Sequence, residues 1–201
     1  GMGTTSGDLG LVVSNDGLHF REAVKGHVFL HRDESPVTPV PDDRYETILC
    51  QANGILNVGG ETRIYHGRWA NAAHIENYYA EVALASIPRD RWGALGLFPD
   101  AAEGSVWSMP VTLPREGIKV ALNADVTTGI RLEVGDERFV LLPGFSGANA
   151  GVPSPGGGLD CDVRWPGHSL SQLGGKSVRF RIRLVRERDA EPRLFALYLR
   201  E

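Results

Sequence analysis

The chain has 201 residues, of which 42% are apolar and 23% charged, and this is enough apolar material for one or two folded domains. The net charge of −4 gives no basic footprint for nucleic acid, and no apolar run approaches the ~20 residues that cross a bilayer. Residues 1–10 carry no signal-peptide pattern, so the default expectation is a cytoplasmic protein, with a secreted protein whose signal has been removed as the alternative.

The first half of the chain is predicted to form hairpins. Residues 9–14 form an apolar strand, Asn-Asp-Gly at 15–17 is a turn sequence, and Phe20 begins the return strand. A second hairpin is predicted from residues 48–58 and 62–69. Residues 81–87 alternate as a further strand, whereas residues 32–46 and 71–78 are polar loops.

The second half has clearer alternation. Apolar and polar residues alternate strictly at 118–124, 130–134 and 178–184, which is typical of antiparallel strands with one solvated face. Three more strands are predicted at 105–113, 138–142 and 194–199. Residues 143–158 are predicted as a long loop, and residues 169–173 as a helical turn ended by two glycines. The expected fold class is therefore all-β.

Several motifs carry a family resemblance. Ser-Asn-Asp-Gly-Leu-His-Phe at 14–20, the hairpin at 51–67 and Leu-Ala-Ser-Ile-Pro-Arg-Asp-Arg-Trp-Gly at 84–93 resemble the propeller blades of proteins related to glycoside hydrolase families 32 and 43. The tail, with Gly-Phe-Ser at 144–146 and Asp-Cys-Asp at 160–162, resembles the jelly-roll-like sandwich that follows their propeller. The resemblance implies a propeller-derived β-meander over residues 8–103 and a jelly-roll-like β-sandwich over residues 104–201.

The resemblance also implies a missing catalytic apparatus. Relatives use an early-blade Asp nucleophile and a later Glu acid on a five-bladed propeller, whereas about a hundred residues hold at most two blades of roughly 40–50 residues. Glycoside hydrolysis needs a pair of carboxylates. The carboxylates available in the N-terminal loops are those of Asp33, Glu34, Glu46 and Glu76, where acidic residues are normally only solvated. Catalytic residues are accordingly left unassigned.

The candidate sugar-binding residues cluster on the second hairpin and the loop after it. Aromatic rings cover the apolar faces of sugars, and arginine, histidine and amide side chains bond to hydroxyl groups. The residues with this chemistry are Gln51, Asn53, His66, Arg68, Trp69, His74 and Tyr78. The competing interpretation is packing, because a tryptophan at a strand end beside tyrosines is often part of a core or its rim.

No cofactor is expected, and no metal site is assigned. Calcium is an alternative, since carboxylates are its ligands and lectin-like sandwiches contain it. The acidic residues considered for it are Asp125, Asp136, Asp160 and Asp162. The basic stripe Arg179, Arg181 and Arg183 is interpreted as a solvated strand face, with contact to acidic sugars or a partner as the alternative. Whether Cys50 and Cys161 are bonded is left open.

Three functions follow from these observations. The first is a carbohydrate-binding or accessory protein related to the family 32/43 group. The second is a glycosidase fragment that is active only with its missing blades, and the third is a structural protein without a ligand. Neither nucleic acid nor a membrane is expected as a partner. Open strand edges in the N-terminal half predict a homodimer or a partner chain.

Overall fold

The computed structural model describes residues 6–38, 47–70, 79–116, 118–188 and 191–200. The fold is all-β, with 54% strand and several antiparallel sheets, and the described part contains no helix of seven or more residues. None of the helices described is long and apolar enough to cross a membrane. Contacts divide the chain into an N-terminal unit, Gly1–Ile87, and a C-terminal unit, Pro88–Glu201.

The N-terminal unit begins with two short strand pairs. Strand β1 (Leu9–Gly10) pairs with β4 (Val28–Leu30), and β2 (Val12–Ser14) pairs with β3 (Phe20–Glu22). The β2–β3 turn is held by the carboxylate of Asp16, whose Oδ1 accepts the backbone N–H groups of residues 18 and 19, each at 2.8 Å. The His19 side chain, with Nδ1 2.6 Å from Oδ2, and then these backbone bonds hold the pKa of Asp16 well below its ordinary value, since they favour the charged form. The predicted first hairpin is confirmed.

A three-stranded sheet completes the described part of this unit. Its order is β5 (Ile48–Val58), β6 (Glu61–Ala70) and β7 (Tyr79–Pro88). The β5–β6 register shifts between Gln51 and Ile55, which marks a bulge in β5. Two predicted loops lie wholly or mostly outside the described residues, namely 71–78 and 32–46. The described part of the second loop includes a 3₁₀ turn, Arg32–Glu34.

The C-terminal unit contains two antiparallel sheets that share one core. Its strands are β8 (Glu103–Trp107), β9 (Val111–Thr112), β10 (Lys119–Asp125), β11 (Ile130–Gly135), β12 (Val152–Pro153), β13 (Gly158–Arg164), β14 (Ser177–Val185) and β15 (Arg193–Arg200). One sheet has the order β12-β13-β10-β15, and the other β11-β14-β8 with β9 beside β14. Inward side chains from both sheets, including Leu122, Leu132 and Phe180, form a single apolar cluster. The strict alternation predicted these inward faces.

Three local predictions have different outcomes. The strand predicted at 138–142 is wrong, because Asp136 Oδ1 accepts the N–H groups of Arg138 and Val140, each at 2.9 Å, and turns the chain there. The predicted helical turn is confirmed as a 3₁₀ turn, Leu170–Leu173, capped by Ser169. Strand β12 forms inside the region predicted as a long loop, and β13 was not predicted at all.

The Arg-Asp-Arg corner, residues 89–91, is hydrogen-bonded to the outer face of the β10 sheet. Arg89 donates to both oxygens of Asp160 at 2.7 Å, and its carbonyl accepts the side-chain amide of Asn123 at 2.6 Å. Asp90, in the left-handed region with φ 58°, accepts the hydroxyl of Tyr198 at 2.7 Å. The hydrogen bond from Arg89 lowers the pKa of Asp160. The corner is thus an internal clamp of the C-terminal unit.

Arg91 makes the other contacts between the corner and strand β10. Its Nε donates to Asn123 Oδ1 at 3.0 Å, and its two terminal nitrogens donate to Asp125 at 2.9 and 3.2 Å. The guanidinium also lies 4.2 Å from the ring centroid of Phe195. Asn123 is fully buried, and the corner supplies partners for both ends of its amide.

Candidate functional site

The predicted sugar-binding residues of the hairpin do not form one surface. His66 and Arg68 lie two residues apart on β6 and share a face, whereas Trp69 belongs to the opposite face. Gln51 is exposed and pairs in register with His66. Asn53 lies within β5, but its side chain, like His74 and Tyr78 altogether, falls outside the described part. That these residues contact sugar stays a prediction.

His66 is part of the interior of the N-terminal unit. Its side chain is completely buried, with Nε2 2.7 Å from the hydroxyl of Ser35 and Nδ1 3.4 Å from the carbonyl oxygen of Ile64. Both ring nitrogens therefore have partners, as a buried imidazole requires. The ring ties β6 to the segment that carries Ser35.

Arg68 belongs to a polar group that we call the Glu81 cluster, formed with Thr38, Tyr79 and Glu81. The carboxylate of Glu81 accepts the Thr38 backbone N–H at 2.7 Å, the Tyr79 hydroxyl at 3.0 Å and an Arg68 nitrogen at 2.8 Å. The Thr38 backbone hydrogen bond is the main reason that the pKa of Glu81 is lowered, and accepting from Tyr79 raises the pKa of that phenol. The carboxylate is held ionised by groups of its own unit.

The carboxylates considered for hydrolysis do not join this cluster where the structure describes them. Glu34 accepts the backbone N–H of His31 at 2.8 Å and so caps the 3₁₀ turn, and the Asp33 carboxylate lies 3.4 Å from the His31 ring. Glu46 and Glu76 are outside the described residues. The Glu81 cluster is thus one carboxylate with its partners, whereas hydrolysis requires two carboxyl groups.

A cleft of about 430 Å³ opens in the C-terminal unit, and sequence reasoning did not find it. It forms where β10 and β13 diverge. Their register ends at the pair Ala121↔Asp162, although β10 begins at Lys119 and β13 continues to Arg164. We call this space the C-terminal cleft. It is lined by Ile118, Lys119, Val120, Asp162, Val163, Arg164, Trp165, His168, Ser169 and Leu170.

The cleft combines an apolar floor with polar walls. Trp165 and Leu170 are buried, and the indole Nε1 of Trp165 has no hydrogen-bond partner among the described residues. His168 is exposed, with its ring packed on Phe145 at a centroid distance of 5.4 Å. Volumes of ≈ 300–1,000 Å³ lined by apolar groups with a few polar ones are typical of small-molecule sites.

The charged residues of the cleft have no partners among the residues that the structure describes. Lys119, Asp162 and Arg164 are exposed, and in the part of the chain that the structure describes none of them makes an ion pair or a side-chain hydrogen bond. Asp160, two residues earlier on β13, is instead engaged by both Arg89 and Arg200. The alternation of residues 160–165, from which no strand was predicted, would have indicated β13 and placed Asp162 and Arg164 on one face.

The arginine stripe of β14 pairs within its own unit. Arg181 Nε donates to the buried Glu133 at 2.6 Å, and Arg183 lies 3.1 Å from Glu103. Arg179 covers the ring of Phe139 at 4.3 Å. The stripe is therefore partly covered and not simply solvated.

The aspartates considered for calcium have separate environments. Asp125 and Asp160 pair with arginines, Asp136 holds a turn and Asp162 lines the C-terminal cleft. No group of three or more His, Cys, Asp or Glu side chains that could hold a metal occurs among the residues described. Cys50 and Cys161 are both free thiols, and burial raises the pKa of each.

Comparison with known proteins adds no relative. No protein-family model matches the chain, and neither curated proteins nor solved structures give a significant match. The likeness to glycoside hydrolase families 32 and 43 therefore depends on the sequence motifs alone.

Proposed function

We propose that this chain is a carbohydrate-binding or accessory protein related to the glycoside hydrolase family 32/43 group, and that its sugar site is the C-terminal cleft. The observation that carries the proposal is the pairing of an apolar floor with the exposed charged side chains of Lys119, Asp162 and Arg164 in a space of about 430 Å³. A sugar ring offers apolar C–H groups and hydroxyls at once, so a mixed cleft of this kind suits it.

The acidic content of the cleft favours binding over cleavage. Asp162 is the one carboxylate among the described residues that line it. Two carboxyl groups facing the scissile bond are the usual requirement for hydrolysis. A site with one carboxylate, two cations, a histidine and a serine can hold a saccharide through its substituents without breaking it.

A glycan-array screen of the 201-residue chain tests this proposal. We expect binding that His168→Ala in the cleft weakens, while the exposed His27→Ala in the N-terminal unit leaves it unchanged. Trp69→Ala serves as a second arm, because loss of binding in that variant would move the site to the hairpin. No binding to any glycan would contradict the proposal and leave the structural hypothesis or the truncated glycosidase.

We also propose that the chain pairs with a second copy or a partner through the N-terminal sheet. β5 and β7 are the edge strands of the described three-stranded sheet, and Gly7 bridges the start of β5 at Ile48. Strand edges present unpaired backbone groups that recruit other strands. Light scattering over a concentration series should give a mass above that of the monomer. A single monomeric species at all concentrations would contradict pairing between copies.

A further inference from the structure

Three cations occupy one row across the end of the β10 sheet. Lys119 on β10 is registered directly opposite Arg200 on β15, so both lie on the same face. On the other side the last registered pair is Ala121↔Asp162, and two residues further along each strand are Lys119 and Arg164. The registered pairing stops at that point, and both Lys119 and Arg164 line the C-terminal cleft.

The positive charges of Lys119, Arg164 and Arg200 are only partly neutralised by acidic side chains. Arg200 pairs with Asp160, which also binds Arg89. Lys119 and Arg164 have no such partner among the described residues, and Asp162 is the one acidic side chain beside them. Like charges at neighbouring cross-strand positions destabilise a sheet, and this repulsion opposes closure of β10 onto β13. An anion held between Lys119 and Arg164 would remove it.

We propose that the C-terminal cleft recognises an anionic saccharide, with Lys119 and Arg164 binding its acidic substituent and the apolar floor around Trp165 accepting the ring. This inference depends on the proposed function and specifies its ligand class. A carboxylate or a sulfate ester fits the fork of an arginine and the point charge of a lysine. Asp162 opposes the anion and orients the neutral hydroxyls.

The test compares matched sugars on the full chain by NMR titration. Methyl β-D-glucuronide should bind about tenfold more tightly than methyl β-D-glucoside at low salt, because a charge-assisted hydrogen bond is worth roughly that factor. The ratio should shrink between about 20 mM and about 300 mM NaCl, since exposed charges are screened. Glucose 6-sulfate in a parallel arm distinguishes a sulfate ester from a carboxylate, and preference for either supports an anion site.

Variants assign the preference to the two cations. Lys119→Met and Arg164→Met should each lower affinity for the preferred anion about threefold to tenfold and leave the glucoside unchanged. Asp162→Asn should tighten anion binding, an effect of opposite sign that a folding defect cannot produce. Arg138→Met, an exposed cation in the turn after β11, is the matched control.

The outcomes separate this inference from the proposed function. If neither the glucuronide nor glucose 6-sulfate binds more tightly than the glucoside, the anion inference is overturned while sugar binding stands. An anion preference that survives both methionine variants would overturn the assignment to Lys119 and Arg164. Absence of any saccharide binding, in the titration and on the array, would overturn both.

Discussion

The two units of this chain are built from the same kind of antiparallel strand, but they bury different material. In the C-terminal unit, the inward residues of β10, β11 and β14 form one apolar core. In the described part of the N-terminal unit, the fully covered side chains include those of His66 and Thr62, and Val82 and Leu84 of β7 are 73% and 50% exposed. One unit is held by apolar packing, and the other depends heavily on hydrogen bonds.

The burial pattern of strand β7 illustrates this difference between the two units. Its alternation is regular, but the covered side carries Tyr79 and Glu81, while Val82 and Leu84 face outward. A period of two fixes which residues share a face, and it does not say which face is covered. Exposed aliphatic faces of this kind often mark interaction surfaces. Stability measurements on the two units can show whether the outward face of β7 is exposed or covered in solution.

The largest expected effect comes from matched leucine truncations. Leu122→Ala in β10 removes a fully buried side chain and should lower the free energy of unfolding by about 2–5 kcal/mol. Leu84→Ala in β7 should cost less than about 1 kcal/mol, because the leucine is half exposed and little apolar area is lost. Denaturant titrations combined with amide exchange in β10 and β7 measure the two costs separately. Similar costs would show that β7 is covered in solution.

The next effect concerns the buried ion pair of the C-terminal unit. Glu133 is 1% exposed and bonds both Arg181 and the backbone N–H of Gly147. Arg181→Met leaves this carboxylate buried without its cation and should cost about 2–3 kcal/mol, since Arg181 itself is partly exposed. The double variant with Glu133→Gln should recover much of the loss. A single variant as stable as wild type would mean that water reaches Glu133.

A smaller loss is expected at the Arg-Asp-Arg corner. Arg91→Met removes the donor to the buried Asn123 and the pair with Asp125, which should cost about 1–2 kcal/mol. Arg91→Lys should recover only part, because a lysine lacks the fork that contacts both residues at once. Thermal unfolding, with Arg138→Met as the control, measures the difference. Equal stability of the methionine and wild-type chains would contradict a clamping role for the corner.

The sequence was most informative where one period repeated without interruption. Val178, Phe180, Ile182 and Leu184 were predicted to share a face, and all four are buried. The short apolar run at 139–141 suggested a strand, but the backbone N–H groups of Arg138 and Val140 donate to the Asp136 carboxylate, and the chain turns instead. Local propensity competes with such bonds, and composition alone does not decide the result.

The candidate sites were less accessible to sequence reasoning. His66, Arg68 and Trp69 were grouped because they are neighbours in the chain, although the period of two already separates Trp69 from the others. The C-terminal cleft depends on where β10 and β13 stop pairing, and Lys119 and Arg164 are far apart in sequence. Non-local register of this kind is set by the whole fold, so no motif predicts it.

The smallest expected effect is a pH dependence confined to the N-terminal unit. Glu81 has a pKa below its ordinary 4.5, chiefly because of the hydrogen bond from Thr38, so it binds protons less readily folded than unfolded. Its contribution to stability is complete above about pH 4.5 and is lost as the pH falls through the lower folded pKa. Amide exchange in β6 and β7 should therefore accelerate in acid.

Glu81→Gln should remove that acid dependence, since a glutamine does not titrate in this range. It should also lower protection at neutral pH, where the wild-type carboxylate is paired with Arg68. Glu187→Gln, at an exposed position of the C-terminal unit, is the matched control and should leave the profile of β6 unchanged. If wild type and Glu81→Gln lose protection with the same slope between about pH 3 and pH 6, another group carries the acid sensitivity. The stability of the N-terminal unit would then not depend on the Glu81 carboxylate. The contrast between a hydrogen-bonded N-terminal unit and an apolar C-terminal core would be weaker.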